Sequence, residues 1–175
     1  MFESVAQPEQ RLVALTAVAD APLHLVLAHP QIPPNTGNVA RLCAATGAAL
    51  HLVEPLGFSL SDRALKRAGL DYWSELGVVV HPSLADFLAT DLAARAWYFS
   101  TRAQRAYTAA PVESGAVFVF GSETAGLPAT VLADYADRTL RIPMRRRAVR
   151  SLNLATSVGI VAYAALARLG FPGLD

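Results

Sequence analysis

The chain has 175 residues, of which 53% are hydrophobic and 17% charged, with a formal net charge of +1. That length fits one domain with a true core. The composition excludes a disordered chain and a generally basic nucleic-acid coat, though a local basic patch stays compatible with it.

Residues 1–21 read as an added arm and residues 22–175 as the domain proper. The apolar stretch Leu12–Val18 is short, so Ala17-Val18-Ala19 is a poor secretory signal. Leu23–Ala28 reads as a strand. Pro30, Pro33 and Pro34 predict an extended loop, with Asn35 as candidate N-cap of a helix that ends at Gly47. Leu50–Val53 is a second strand, Arg63–Leu70 a short helix and Val78–Val80 a strand, and Ser83 caps a helix to about Leu88. Strands follow at Trp97–Ser100 and Ala116–Phe120, then a glycine-bounded loop and a short helix from Leu127 to Tyr135. Leu140–Ile142 is the last strand. Ser151 caps a long apolar helix, Leu152–Leu169, which Gly170 stops. This alternation predicts an α/β fold with a mostly parallel sheet flanked by helices.

Cys43 lies in an apolar helical pattern and reads as a buried, inert thiol. His24 and His51 suit ordinary strand positions. None of the four histidines has ligand spacing, so no metal is expected. The C-terminal apolar stretch carries Asn153, Thr156, Ser157, Tyr163 and Arg168, too polar a set for a membrane span. A soluble, cytoplasmic protein is expected.

Three constellations carry candidate chemistry. Asn35, Asn38 and Arg41 share one helix face. They read either as a cap with a solvated arginine, or as a site with Arg41 beside a phosphate or a reacting oxygen. Gly121–Pro128 follows a buried strand and lacks both Rossmann and phosphate-loop signatures. Its glycines suggest close backbone approach by a flat ligand such as adenine. Its Glu123 reads as a ribose acceptor, a partner for arginine or a helix-start carboxylate. Arg145, Arg146, Arg147 and Arg150 make a focused positive patch before Ser151 and Asn153, suited to a polyanion. Tyr163 reads as a core or interface residue of the last helix.

Together these segments resemble the SPOUT superfamily, in particular its TrmH-like branch of RNA ribose 2′-O-methyltransferases and the small tRNA wobble-nucleotide enzymes within it. The first motif is Ile32–Asn38 with Arg41-Leu42-Cys43. A middle segment follows at Glu54–Phe58 and Arg67–Tyr72. The second motif is Phe120-Gly121 with Glu123 and Gly126-Leu127-Pro128, and the third is Ile142-Pro143-Met144 with Arg150–Leu154. Ser122, Ala155 and Ala164 depart from the pattern, as does an arginine-rich stretch between Met144 and Arg150 that is one residue longer.

The resemblance implies a C-terminal trefoil knot and S-adenosyl-L-methionine as cofactor. It implies a cofactor pocket at Phe99, Gly121, Ile142, Leu152 and Leu154. The chemistry would rest on Arg41, Asn35, Glu123, Ser151, Asn153 and Tyr163, with Tyr163 at or near the two-fold interface of a homodimer. The implied substrate is the ribose of nucleotide 34 in a tRNA anticodon stem-loop. Other readings are 2′-O-methylation at another tRNA position or in rRNA, an enzyme of another nucleotide cofactor, and a non-catalytic RNA-binding protein.

Overall fold

The computed structural model describes residues 18–60, 76–145 and 149–175. The expected helix at Arg63–Leu70 and part of the arginine run lie outside them, as does most of the arm. The described strands are β1 (Leu23–Ala28), β2 (Ala49–Val53), β3 (Val78–His81), β4 (Trp97–Phe99), β5 (Arg105–Ala106), β6 (Ala116–Phe120) and β7 (Thr139–Arg141). They form one sheet in the order β3-β2-β1-β6-β4-β7-β5, with every pairing parallel. The helices are α1 (Pro33–Thr46), α2 (Leu84–Leu88), α3 (Asp91–Ala94), α4 (Ala129–Asp134) and α5 (Leu154–Leu169).

Side chains alternate across a strand, so the runs in β1 and β6 feed two cores. Leu23, Leu25, Leu27, Phe118 and Phe120 pack with α1 and α5. Val26, Ala28, Val117 and Val119 pack on the opposite face with Phe87 of α2, Ala93 of α3 and Val131 of α4. Burial on both faces is why these strands read as unbroken apolar runs. In α5, Leu154, Val158, Val161, Ala162, Ala165 and Leu166 form the buried stripe, while Tyr163 is 48% exposed. Cys43 is buried in α1, and burial pushes its thiol up to about 12.

Two helix starts differ from the sequence expectation. Pro33 and Pro34 are not in a loop ahead of a cap. They occupy the first turn of α1, and Ile32 is its N-cap with no side-chain cap bond. Proline suits that turn, because its fixed φ is helical and its missing N–H would have no helical partner there. Asn35 therefore sits inside the helix. At the other end of the domain Asn153, not Ser151, caps α5, accepting from the Thr156 N–H at 3.2 Å. Ser83 caps α2 as expected, accepting from the Asp86 N–H. The short α3 and the two-residue β5 left no readable pattern. Among the described residues no helix is long and apolar enough to cross a membrane.

The strand histidines form a buried ladder across the sheet. His24 Nδ1 lies 3.0 Å from His51 Nε2, and His51 Nδ1 lies 3.1 Å from His81 Nε2. Neutral imidazoles can satisfy both contacts, each donating at one nitrogen and accepting at the other. Protonation would put two donors face to face. Burial lowers the pKa of all three, and holds His51 at about 3. Arg95 lowers His24 further, while Asp86 opposes the shift at His81. The unfolded chain thus binds more protons than the folded one below about pH 6.5. This stability is complete above that pH and is lost as pH falls. Melting temperature should drop between pH 7.5 and 5.0, and His51→Leu should make the drop shallower; a pH-independent melt would contradict the ladder's neutral state.

Candidate active site

The C-terminal ends of β1, β4, β6 and β7 open into a cleft of about 860 Å³. Parallel sheets place ligand sites at these ends, and the volume suits one nucleoside-sized ligand. Three segments wall it: residues 99–102, residues 120–129, and Arg141, Ile142 and Met144 with residues 150–154. Phe99 and Phe120 stack at 4.6 Å with their planes 15° apart, and Ile142, Leu152 and Leu154 add apolar surface.

A polar relay ties the loops together. Glu123 accepts from the backbone N–H groups of Gln31 at 2.9 Å and Ile32 at 3.1 Å, and from Asn35 Nδ2 at 2.9 Å. Asn35 Oδ1 accepts from Asn153 Nδ2 at 2.9 Å. Asn153 Oδ1 in turn caps α5. Glu123 thus serves as the carboxylate at the N-terminus of α1, a helix distant in sequence, rather than of the helix that follows it. Burial alone would raise its pKa. The donors from Asn35, Gln31 and Ile32, with its own backbone N–H, outweigh burial and hold the carboxyl below its usual range.

Two glycines permit close backbone approach to other parts of this chain. A Cβ on Gly121 would lie 2.1 Å from the Gly126 carbonyl carbon. The loop folds back there, with the Gly126 N–H donating to the Ser122 carbonyl at 2.9 Å. A Cβ on Gly57 would lie 2.7 Å from the backbone of Gln31, beside Pro30, whose carbonyl accepts the Gly57 N–H.

All five residues expected around a cofactor line the cleft: Phe99, Gly121, Ile142, Leu152 and Leu154. So do Asn35, Glu123, Ser151 and Asn153. Arg41 and Tyr163 do not line it. Both are exposed, Arg41 on α1 and Tyr163 on α5. Sequence reasoning missed His29, Arg102 and Arg141 on the cleft wall. His29 follows β1 with φ +55, and its Nδ1 is buried without a hydrogen-bond partner. A non-glycine residue in that region is a common mark of functional sites, but nothing in the sequence announces it. Among the described residues no group of three or more histidine, cysteine, aspartate or glutamate side chains could hold a metal ion.

Glu123→Gln keeps the size of the side chain but turns an amide donor toward one of three existing donors. Hydrogen bonds to a charged group are worth about 1.5–3 kcal/mol when buried, and less at this partly open position. The variant should lose about 1 kcal/mol of stability in denaturant unfolding, and Asn35→Asp, which sets a second carboxylate against Glu123, should lose more. Equal stability of both variants and wild type would show that the relay holds nothing.

The SpoU rRNA Methylase family matches residues 22–163 of this chain. A tRNA (cytidine(34)-2′-O)-methyltransferase of Burkholderia cenocepacia (strain HI2424) is 47% identical over 153 residues, covering 86% of this chain and 97% of that protein. A solved structure described as giving insight into the 2-OH methylation of C/U34 on tRNA superposes with a TM-score of 0.77 at 50% identity, covering 85% of this chain and 96% of the other. An AdoMet-bound rRNA methyltransferase from Sinorhizobium meliloti superposes with a TM-score of 0.73 at 27% identity, over 86% of this chain and 57% of that one. With an all-parallel sheet of this order and a cleft built from all three expected motifs, the chain belongs to the SpoU methylase family of the TrmH-like SPOUT proteins.

Proposed function

We propose that this protein transfers a methyl group from S-adenosyl-L-methionine to the ribose 2′-hydroxyl of nucleotide 34, a cytidine or modified uridine, in a tRNA anticodon stem-loop. The observation that carries the reading is the three-loop cleft. It brings the second and third motifs together over stacked Phe99 and Phe120 and locks them to the first motif through Glu123, Asn35 and Asn153. The near full-length likeness to enzymes named for C34 supports the substrate. A tRNA substrate supports a cytoplasmic location for the reaction.

The cleft fits the cofactor. Its apolar wall at Phe99, Ile142, Leu152 and Leu154 suits an adenine ring, and nearby backbone groups can hydrogen-bond the base edge. The bound cofactor supplies the electrophilic methyl group. The protein supplies position and charge control. Asn35 and Glu123 fix the start of α1, which carries Arg41. Ser151 and Asn153 stand where they can orient the ribose or the cofactor's amino-acid end. Arg41 orients the target phosphate and stabilises negative charge developing on the 2′-oxygen. It is a poor base, because a guanidinium stays charged and has no acceptor. Since Arg41 lies outside its own chain's cleft, RNA must span from the cleft to α1, or a second copy must bring an arginine in.

The second copy is part of the reading. α5 presents Tyr163 to solvent, and Phe171 just beyond it is 42% exposed. An apolar helix with exposed aromatics suits a two-fold contact. We further infer a trefoil knot in the C-terminal part. β7 is inserted between β4 and edge strand β5, and the chain then returns over the sheet end to lay α5 on α1 and β1. The family match begins at residue 22, which supports a domain of residues 22–175 behind an arm of residues 1–21.

Purified protein, S-adenosylmethionine and total tRNA should give a 2′-O-methyl group at nucleotide 34, mapped by resistance to alkaline cleavage. Methylation elsewhere in tRNA or in rRNA would move the substrate; cofactor binding without methylation of any RNA would defeat the proposal. Arg41→Ala should cut the single-turnover rate about a hundredfold at saturating RNA and cofactor. If it weakened affinity alone, Arg41 would be a docking residue. Sedimentation should give about twice the chain mass of 18.6 kDa.

A further inference from the structure

The charges around the cleft do not balance. Among the described residues its lining holds Arg102, Arg141 and Arg150 and a single carboxylate residue, Glu123. Glu123 is already engaged by three donors at the start of α1. Arg141 is the last residue of β7, at the strand end that opens into the cleft. Its Nε is buried and has no hydrogen-bond partner. A guanidinium donor shut away from water without an acceptor is costly unless a ligand supplies one. Arg102 belongs beside it. β4 and β7 pair through Phe99 and Leu140, so Ser100 stands next to Arg141 in the register, and the Ser100 N–H donates to the Leu140 carbonyl. Arg102 rides on the turn that follows, its N–H donating to Ser100 Oγ at 3.2 Å.

From this juxtaposition we propose that Arg102 and Arg141 form an oxyanion subsite that seats a phosphodiester of the RNA next to the ribose being methylated. The inference rests on the proposed methyl transfer and adds to it a pair of positioning residues that none of the three motif assignments contains. The sulfonium of the cofactor is itself positive, so cofactor binding adds to the positive excess at its centre. RNA phosphate is the ligand that offsets it. The planar fork of arginine fits two phosphate oxygens together, which explains guanidinium groups here rather than ammonium groups.

The test uses the full chain, a synthetic anticodon stem-loop, S-adenosylhomocysteine and methylthioadenosine, which lacks the amino-acid carboxylate. Arg141→Gln should weaken RNA binding about tenfold, the loss expected for one charge-assisted contact. It should also make the slope of log affinity against log salt shallower by about 0.7, as for one single-strand phosphate contact. KM for RNA should rise with little change in the saturated rate, and both nucleosides should bind as they do to wild type. Arg141→Lys should restore the salt slope but not the full affinity. Arg102→Gln, on an exposed turn, should show the same pattern and carries the test if Arg141→Gln fails to fold. Unchanged RNA affinity and slope in folded variants would overturn the proposal. So would loss of S-adenosylhomocysteine binding with methylthioadenosine binding retained, since that assigns the arginines to the cofactor's carboxylate. Wild-type protein that never methylates RNA, yet loses RNA affinity and salt slope on Arg141→Gln, would defeat the methyltransferase reading and keep the subsite.

Discussion

Three loops far apart in sequence meet at one carboxylate. Glu123 accepts from Gln31, Ile32 and Asn35, and Asn35 then accepts from Asn153. This geometry has a reason in the first turn of α1. Pro33 and Pro34 set the backbone angle there, and Ile32 brings no side-chain cap. The first two N–H groups of the helix, those of Asn35 and Thr36, turn back to the Ile32 carbonyl, which leaves the Gln31 and Ile32 N–H groups just ahead of it to be met from elsewhere. Glu123 satisfies two from across the sheet, and its charge matches the positive end of the helix. This contact just ahead of the helix is tertiary, and it ties the start of α1 to the 121–128 loop. The cleft wall and the helix that carries Arg41 become one unit.

The sheet makes that unit possible. β1 and β6 are neighbours buried on both faces, and their ends deliver the 30–35 and 121–128 loops side by side. The β1–β2–β3 half carries the histidine ladder, which costs the fold its tolerance of acid but satisfies three buried polar rings without recruiting a charge. Hydrogen bonds confined to neutral groups avoid the large desolvation cost of buried ions. Among the described residues no lysine, arginine, aspartate or glutamate is fully buried, so ligands and water can meet these charges.

Much of this was legible in the sequence, and the failures share a cause. Strands buried on both faces announce themselves as apolar runs, so β1, β2 and β6 were readable to within a residue. The cofactor-wall residues came from motif likeness, and the cleft contains all five. What went unread was long-range pairing. Asn35 looked like a local cap because its partners, Glu123 and Asn153, are 88 and 118 residues away. Ser151 looked like a cap because serine before an apolar helix usually is one, yet Asn153 takes the place two residues on. His24 and His51 each suited a strand, and only the parallel register sets them diagonally beside one another and beside His81. Arg141 and Arg102 carry no local pattern at all. Their meaning comes from a strand insertion, β7 beside β4, that periodicity does not encode.

The arginines of the chain stand in three different settings, which suit them to the different work proposed for them. Arg41 projects from a helix whose start is locked by Glu123, so its position relative to the cleft rim is held by a rigid element. A group that stabilises charge on a reacting oxygen needs such preorganisation, because reorientation during the reaction would cancel its benefit. Arg145 and Arg150 lie in an exposed connection between β7 and α5, where charge attracts a polyanion without fixing its geometry. Arg141 stands between these cases. It is anchored on a strand at one end and has a buried, unpartnered donor at the other. Rigid anchoring with an unmet donor is the condition for selecting the position of a phosphate rather than merely its charge. The proposed functions of these arginines then form a graded order: the exposed ones gather the RNA, strand-anchored Arg141 with Arg102 on the adjoining turn sets its register, and helix-borne Arg41 acts on the oxygen that register presents.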